Sequence, residues 1–513
     1  MRKTLFSILC LLVLASILVT ACTPAASTPA ENTQAAAQPT EAVAQPTEAA
    51  DQPTDAAAQP TQTAGDTTAA ATATVPAPPA GAPTATIAPP QSADAVKIAF
   101  WHSMAGDIGG KAIPQMANDF NASQEACYVE PIYQGSYDDS LNKLKAGLQS
   151  KDTPAVVQLF DIATRLMVDL QVVTPVQTFI DKETYDVSDL EPNVLSYYTV
   201  DEQQVSMPFN TSTPLLYYNK DMFKAAGLDP EKPPRTFAEF EEAAAKLTQK
   251  DGDKTTVYGA SFAIYGWFFE QFLAVSNGLY VDNNNGRDAF ATQATFNSPE
   301  GVAIMDWWKR MYDAGVMANY GRKTVDTRNA FLAGQTAMFI DSTAVLRGMI
   351  EGSNGKFEVG TGYLPRPNEE AYQQSGTIIG GASLWVINNR PQAEQDCAWE
   401  FIKYQAAPAR QAYWHTMSGY FPIRKAAYEE QLDKDWTAKY PQFAMAINQL
   451  HDTPINPASR GALIGVFPSA RATIETSIEE VLAGKATPQE ALDKAAESVT
   501  TAIKDYNESM GLE

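Results

Sequence analysis

From residue 96 onward, short apolar runs alternate along the chain with longer segments in which apolar residues recur every three or four positions. Residues 97–101 and 154–160 have the length and composition of strands. Between them, the apolar side chains at 113, 116, 117 and 120 have the spacing of one helix face. Alternation of strands and helices on this scale predicts an α/β fold.

Capping signals mark the starts of several predicted helices. Thr236 and Glu239 form a capping box ahead of an apolar helix face, and Thr487 and Glu490 form another near the C-terminus. Ser298, followed directly by a proline, begins a further helix. These signals predict a C-terminal third that is mostly helical.

The segment 207–221 changes from polar to apolar at Pro214. Small polar side chains occupy residues 210–213, and an apolar, aromatic run predicted as a strand follows the proline. The proline favours an extended backbone at Thr213. We expect residues 210–213 to form a polar loop that can hydrogen-bond a ligand, with an ordinary turn before a strand as the alternative.

Polar or charged residues follow other predicted strands as well. Asp161 comes directly after the strand at 154–160, and ligands of open α/β sheets collect at the carboxyl ends of strands. The aromatic cluster at 265–269 contains a glycine and either lines a pocket or packs in the core. Arg471 lies in the first turn of a predicted helix, where its charge opposes the helix dipole, and a bound anion would satisfy both.

The N-terminus has the features of a bacterial lipoprotein leader. Arg2 and Lys3 precede the apolar run 5–19, which is too short for a comfortable membrane span. The run ends in Val-Thr-Ala-Cys at 19–22, which resembles a lipobox. We expect residues 1–21 to be a lipoprotein signal peptide and Cys22 to be lipidated; a cleaved leader with an incidental cysteine is the alternative.

Residues 22–92 are dominated by Ala, Thr, Pro and Gln and contain no lysine or arginine. Such a segment cannot bury a core, so we predict a disordered tether. A Gln-Pro-Thr unit recurs every seven residues at 38, 45, 52 and 59, but its prolines exclude a coiled coil.

Composition restricts the classes of partner and chemistry. The formal net charge of −23 argues against nucleic acid or an anionic membrane face as the main partner. Four cysteines are too few for a disulfide scaffold. We expect Cys127 and Cys397 to be two separate buried thiols; the alternative is that the fold brings them together as a pair. The three histidines, His102, His415 and His451, are too scattered to predict a metal site. No cofactor is expected.

Hydrolase motifs are absent from the sequence. It contains no Gly-x-Ser-x-Gly, no His-Glu-x-x-His and no Cys-x-x-Cys. The two acids of a glycosidase need no local spacing, so that chemistry stays open. We expect a protein that is not an enzyme.

Four segments resemble the extracellular solute-binding proteins of ABC importers (family 1), in particular their sn-glycerol 3-phosphate receptors. They are Phe-Trp-His-Ser-Met at 100–104, residues 208–221, Gly-Gly-Ala-Ser-Leu-Trp-Val at 380–386, and Gly-Tyr-Phe-Pro-Ile at 419–423. The resemblance covers about residues 96–507. It implies a two-lobed, type II fold like that of maltose-binding protein, which closes on its ligand by hinge motion.

The family fold implies discontinuous lobes joined by several hinge crossings. The crossings would lie near 213–214, 366–376 and 422–425. Lobe 1 would then comprise residues 93–213 and 376–424, and lobe 2 would comprise residues 214–375 and 425–513.

The resemblance also implies a set of ligand-binding residues: Tyr137, Asp161, Ser212, Trp267, Ser342, Gly381, Tyr420 and Arg471. Arg471 would offer a planar fork of donors to a phosphate, and Asp161 would accept hydrogens from ligand hydroxyls. Two positions depart from the family pattern. Asp161 stands where glutamate is expected, and Ile264 stands where a second pocket tryptophan is expected, with Tyr265 as a possible substitute.

The resemblance therefore implies a monomeric receptor outside the cell, held at the bacterial membrane only through the lipid on Cys22. It would deliver sn-glycerol 3-phosphate, or a glycerophosphodiester such as glycerophosphocholine, to the permease subunits of an ABC importer. Aromatic faces suit the quaternary ammonium of the latter ligand. An oligosaccharide receptor of the same fold and a secreted glycosidase are the alternatives.

Overall fold

The computed structural model describes residues 86–106 and 108–512. The predicted signal peptide, the lipidated cysteine and nearly all of the predicted tether lie outside these residues. Among the helices of the described part, none is both long enough and apolar enough to cross a membrane.

Within the described residues, fourteen strands form two six-stranded sheets and one short two-stranded ribbon. The strands are β1 (Val96–His102), β2 (Cys127–Tyr133), β3 (Val156–Phe160), β4 (Val173–Thr174), β5 (Thr199–Val200), β6 (Gln203–Gln204), β7 (Met207–Ser212), β8 (Pro214–Asn219), β9 (Gln249–Asp251), β10 (Lys254–Ser261), β11 (Met317–Ala318), β12 (Thr336–Ser342), β13 (Val359–Gly362) and β14 (Gly380–Ile387).

Helices cover the sheets and make up most of the C-terminal third, as predicted. They are α1 (Ala112–Ser123), α2 (Tyr137–Ser150), α3 (Thr164–Asp169), α4 (Val176–Glu183), α5 (Pro192–Tyr198), α6 (Lys220–Ala225), α7 (Phe237–Leu247), α8 (Gly266–Val275), α9 (Pro299–Asp313), α10 (Thr324–Leu332), α11 (Leu346–Ser353), α12 (Ala371–Gln374), α13 (Gln392–Gln405), α14 (Pro408–Ser418), α15 (Gln431–Lys439), α16 (Gln442–His451), α17 (Phe467–Leu482) and α18 (Pro488–Met510). Short 3₁₀ turns at Asp161–Ala163, Thr343–Val345 and Lys425–Glu429, and a left-handed turn at Asp282–Gly286, complete the described elements.

The predicted two-lobed α/β fold is confirmed, because the two large sheets belong to separate lobes. The first sheet has the strand order β2-β1-β3-β14-β4, with β7 also paired to β14. The second has the order β11-β10-β12-β8-β13, with β9 on β10. In each sheet, parallel strands meet one long antiparallel strand: β14 in the first and β8 in the second. The exact residue limits of the lobes stay a prediction.

The chain passes from the first sheet to the second at Thr213, between β7 and β8. It returns between the end of β13 and the start of β14. The capping boxes predicted at Thr236 and Thr487 are both present, with each threonine accepting from the backbone N–H of the glutamate three residues on. Local sequence was therefore sufficient to find these helix starts.

The polar loop predicted at 210–213 is wrong. Residues Met207–Ser212 form strand β7, whose six residues are all buried. This strand pairs antiparallel with β14, so its backbone groups are satisfied by the ladder. Its polar side chains find partners inside the protein; Asn210, for example, bonds Gln158 and Tyr137. Tertiary pairing thus overrides a composition typical of a loop.

The expectation of two separate thiols is also wrong. Cys127, at the start of β2, and Cys397, in α13, form a disulfide across 270 residues of sequence. Helix α13 packs against β1 and β2, which brings the two cysteines together. The disulfide covalently joins the first strands of this lobe to a helix from the far end of the sequence.

Candidate functional site

All eight residues that the resemblance predicted as ligand-binding line one cavity of about 580 Å³. Four of them come from elements that end at the crossing between the sheets. Ser212 ends β7, Ser342 ends β12, Gly381 is the second residue of β14, and Asp161 follows β3 directly. The ladder pairs Ser342 with Pro214 across the second sheet and Gly380 with Ser212 across the first. The cavity therefore lies at the carboxyl-terminal strand ends that the sequence indicated.

Two adjacent glycines allow close approach of the cavity walls. Gly381 has φ of +95°, and a Cβ atom there would lie 1.8 Å from the backbone oxygen of Asn210. A Cβ atom on Gly380 would lie 2.7 Å from the ring of Trp267. Glycine is required at both positions, because any side chain would push β7 or the indole away from β14.

Aromatic rings form much of the cavity wall. Tyr137 stacks on Phe160, with ring centroids 5.5 Å apart. Trp267 and Tyr265 lie side by side at 6.3 Å. Tyr265 lines the cavity, as expected for a substitute of the second tryptophan, whereas the cavity lining does not include Ile264, which is buried in the core.

Arg471 already has a carboxylate partner inside the protein. Its Nε and Nη2 atoms each donate to Glu270, at 2.7 Å, and Nη2 lies 3.8 Å from Asp161. The arginine is the fifth residue of α17, and Glu270 lies in α8. From the sequence, an anionic ligand was the expected partner of this arginine. In the structure Glu270 occupies one edge of the guanidinium, so a ligand can reach only the remaining N–H groups.

Burial raises the pKa of both acids at this end of the cavity, Asp161 and Glu270. Burial raises the pKa of Asp161 to about 7, with Arg471 opposing the shift and Glu270 adding to it. Burial also raises the pKa of Glu270, and its ion pair with Arg471 opposes that shift. One guanidinium and two carboxyl groups carry a summed charge of −1 or zero, so this end is a poor environment for another anion.

A second arginine lines the cavity with less of its charge compensated. The Nε atom of Arg328 lies 3.6 Å from Asp341 Oδ2 and finds no hydrogen-bond partner among the described residues. Its Nη2 atom donates to Thr324 at 3.3 Å. Burial raises the pKa of Asp341 to about 6. A fraction of this carboxyl group is therefore protonated near neutral pH and does not compensate the charge of Arg328. Arg328 therefore has fewer of its N–H groups satisfied by the protein than Arg471 has.

Two further cations lie around Arg328 at the start of α10. Lys323, the N-cap residue of the helix, is exposed and has no carboxylate within 4.0 Å in the part of the chain that the structure describes. Arg322 is committed to Glu475 and Glu479, at 3.1 and 2.7 Å. The α10 end of the cavity is therefore the more positive end.

Sequence reasoning missed four residues of this site: Glu270, Arg328, Asp341 and Lys323. Asp341 had a usable signal, since it precedes Ser342 at the end of a predicted strand. Glu270 and Arg328 had none, because each lies within a helix with no special local pattern. A larger surface cleft, of about 680 Å³, is lined by charged side chains such as Lys232 and Glu242 and contains none of the eight predicted residues. Among the described residues, no group of His, Cys, Asp and Glu could hold a metal ion.

Comparison with known proteins gives three results. Residues 115–445 match the sequence model of a family described as bacterial extracellular solute-binding protein. The sn-glycerol-3-phosphate-binding periplasmic protein UgpB of Pectobacterium atrosepticum is 35% identical over 420 residues, which cover 81% of this chain and 93% of that protein. The corresponding Escherichia coli protein is 34% identical over 418 residues, covering 80% and 93%.

Solved structures share the fold at lower identity. UgpB from Mycobacterium tuberculosis in complex with glycerophosphocholine superposes with a TM-score of 0.69 at 23% identity, covering 80% of this chain and 99% of that one. The cyclic α-maltosyl-1,6-maltose binding protein from Arthrobacter globiformis gives 0.65 at 24%, covering 80% and 100%.

Proposed function

The chain belongs to the family of bacterial extracellular solute-binding proteins, and from this premise we propose that it captures a glycerophosphate ester. The proposed ligand is sn-glycerol 3-phosphate or a glycerophosphodiester. It would be delivered to the permease subunits of an ABC importer, and the protein itself would act as a transport receptor rather than an enzyme.

One observation carries the proposal: eight residues dispersed over more than 300 positions line the same cavity. Their chemistry suits a small phosphate ester. The hydroxyls of Ser212, Ser342, Tyr137 and Tyr420 and the backbone N–H of Gly381 are donors for acceptor oxygens, and hydrogen bonds to a charged acceptor are the stronger kind. Relatives at 34–35% identity that are sn-glycerol 3-phosphate receptors support the same ligand class.

The charge distribution supports one orientation of the ligand. We place the phosphate against the serines, with Arg328 as its cation, because the protein satisfies fewer N–H groups of Arg328 than of Arg471. We place the glycerol hydroxyls against Asp161, which can accept from them, and the outer N–H groups of Arg471. The reverse orientation would bring a phosphate to the end where Asp161 and Glu270 flank one arginine, which is electrostatically unfavourable.

The size and lining of the cavity favour a diester over a monoester. About 580 Å³ is far more than a three-carbon phosphate monoester fills. Tyr137 and the adjacent Asp138 both line the cavity, and an aromatic face beside a carboxylate suits a cationic headgroup such as choline.

Titration calorimetry with sn-glycerol 3-phosphate, glycerophosphocholine and maltose tests the proposal. We expect both phosphate esters to bind and glycerophosphocholine to bind more tightly. If neither ester produces a heat of binding, the proposed function is refuted. Binding of maltose alone would support an oligosaccharide receptor of the same fold. Release of product from a chromogenic glycoside would instead support a glycosidase.

We also propose that the protein is a monomer attached to the outer face of the cell membrane through a lipid on Cys22. A diacylglyceryl group plus an amide-linked acyl chain provides the two anchors that stable attachment needs. The proposed tether would have a root-mean-square reach of roughly 45–50 Å. Metabolic labelling with a radioactive fatty acid should mark the wild-type protein and leave Cys22→Ala unlabelled and released into the medium. Label retained by Cys22→Ala would refute the lipid anchor.

A further inference from the structure

A chain of buried amides lies behind Tyr137 and Tyr420 and is used by none of the roles above. The backbone N–H of Ser103 donates to Gln158 Oε1 at 2.8 Å. Gln158 Nε2 donates to Asn210 Oδ1 at 2.6 Å, and Asn210 Nδ2 donates to the Tyr137 hydroxyl at 2.7 Å. Both amide side chains are fully buried.

The donor-to-acceptor direction of this series of hydrogen bonds is fixed by its first donor, the backbone N–H of Ser103. A backbone N–H can only donate, so Gln158 must present its oxygen to Ser103 and its NH₂ group to Asn210. Asn210 must then accept with its oxygen and present its own NH₂ group to Tyr137. Reversing either amide would leave two donors or two acceptors facing each other between fully buried side chains, which costs the full desolvation of a buried polar group.

The consequence can be counted in hydroxyl hydrogens. Asn210 Nδ2 donates to the Tyr137 oxygen, so Asn210 takes no hydroxyl hydrogen from the tyrosines. The two hydroxyls carry two hydrogens, and a bond between the two tyrosines would use at most one. At least one hydroxyl hydrogen is therefore left over, and both tyrosines line the cavity.

We propose that Asn210 and Gln158 are positioning residues that keep the Tyr137–Tyr420 pair in a donor state toward the cavity, so that the pair selects ligands with acceptor-only groups such as phosphate. The inference rests on the proposed function for its ligand and on the geometry above for its direction. Neither amide touches the ligand itself; each acts through the tyrosines.

Asn210→Asp tests the direction with almost no change of shape. A carboxylate would accept the hydrogen of the Tyr137 hydroxyl, so the two tyrosines would have one hydroxyl hydrogen fewer to donate to the ligand. We expect titration calorimetry at pH 8 to show about a 10- to 100-fold loss of affinity for sn-glycerol 3-phosphate and glycerophosphocholine, the range set by one hydrogen bond to a charged group. The new negative charge would also repel the ligand, so a second background is required.

The Tyr137→Phe/Tyr420→Phe double variant provides that background, because it has no hydroxyl left to reverse. There, Asn210→Asp should cost only the few-fold loss due to charge. The inference is supported if Asn210→Asp costs much more affinity in the wild-type protein than in the double tyrosine variant. An equal loss of affinity in both backgrounds, or no loss in either, overturns it. If Asn210→Asp does not melt cooperatively, Gln158→Glu replaces it, since a carboxylate at 158 forces Asn210 to turn its oxygen toward Tyr137.

Neutron diffraction from deuterium-exchanged crystals separates this inference from the proposed ligand. If the wild-type protein binds neither ester, the proposed function fails, and the deuterons still report the direction of the chain. Deuterons between Asn210 Nδ2 and the Tyr137 oxygen support the inference. A deuteron of Tyr137 that points at Asn210 overturns it.

Discussion

Two of the three arginines that line the cavity, Arg471 and Arg328, have very different partners. Arg471 is bound by Glu270 through two hydrogen bonds and lies beside a second acid, Asp161. Arg328 has one acid, Asp341, at 3.6 Å, and its Nε atom is buried without a hydrogen bond to any described residue. An arginine in a pocket is thus not automatically an anion receptor. Its existing partners decide whether it binds a phosphate or positions carboxylates for hydroxyl groups.

The largest effect is expected from Arg471→Ala. Removing the guanidinium leaves Glu270 and Asp161 buried together, which should lower the free energy of unfolding by about 3–5 kcal/mol. Affinity for the phosphate esters should fall by at least ~2 kcal/mol, because the ligand loses a charged donor and the site gains negative charge. Urea unfolding and calorimetry measure the two quantities.

Arg322→Ala is the matched control for that variant. Its ion pairs with Glu475 and Glu479 lie near the surface, so the loss of stability should stay below about 1 kcal/mol. Unchanged ligand affinity in Arg471→Ala would contradict any contact between this arginine and the ligand.

Arg328→Gln should separate ligand binding from stability. We expect a loss of about 1.5–3 kcal/mol in affinity for the phosphate esters, as for a hydrogen bond to a charged group. Glycerol, which has no phosphate, should bind the variant and the wild-type protein equally weakly. If calorimetry shows wild-type affinity for both esters, the phosphate does not lie at the α10 end of the cavity, and the proposed orientation is wrong.

Asp161→Asn should change how stability depends on pH. Burial raises the pKa of this carboxyl from 3.8 to about 7 in the folded state. Between those values the folded protein binds more protons than the unfolded chain, so stability falls as pH rises from about 4 to 7. The variant removes this contribution and should show a shallower decline in thermal melts across that window.

The decline of stability with rising pH should not vanish in Asp161→Asn, because burial also raises the pKa of Asp341, to about 6. Asp341→Asn is therefore the counterpart at the other end of the cavity. Only Asp161→Asn is expected to weaken binding of the glycerol hydroxyls. Melting profiles identical to wild type between pH 4 and 8 would show that Asp161 is ionised throughout.

The smallest effect is expected from Lys323→Gln. This exposed lysine can attract an anionic ligand only through screened electrostatics, so affinity should fall about two- to threefold at low salt. The difference should disappear in 0.5 M salt, roughly where the screening length drops below 5 Å. A loss that persists at high salt would indicate a direct contact between the lysine and the ligand.

Residues close in sequence determined much of the fold before the structure was known. The α/β alternation, the capping boxes at Thr236 and Thr487, and the polar residue after β3 were all predicted, because each depends on contacts within a few positions of the chain. The family resemblance supplied eight candidate site residues, and all eight line one cavity.

Only the tertiary structure determined which partners those residues contact. Glu270 and Arg471 are 201 residues apart, and Cys127 and Cys397 are 270 apart, so no local pattern could pair them. Residues 210–212 have the composition of a loop yet belong to strand β7, because β14, more than 160 positions later in the sequence, pairs with them. Sequence specifies short-range preferences, whereas buried charges and backbone groups must be satisfied by whatever the fold brings beside them.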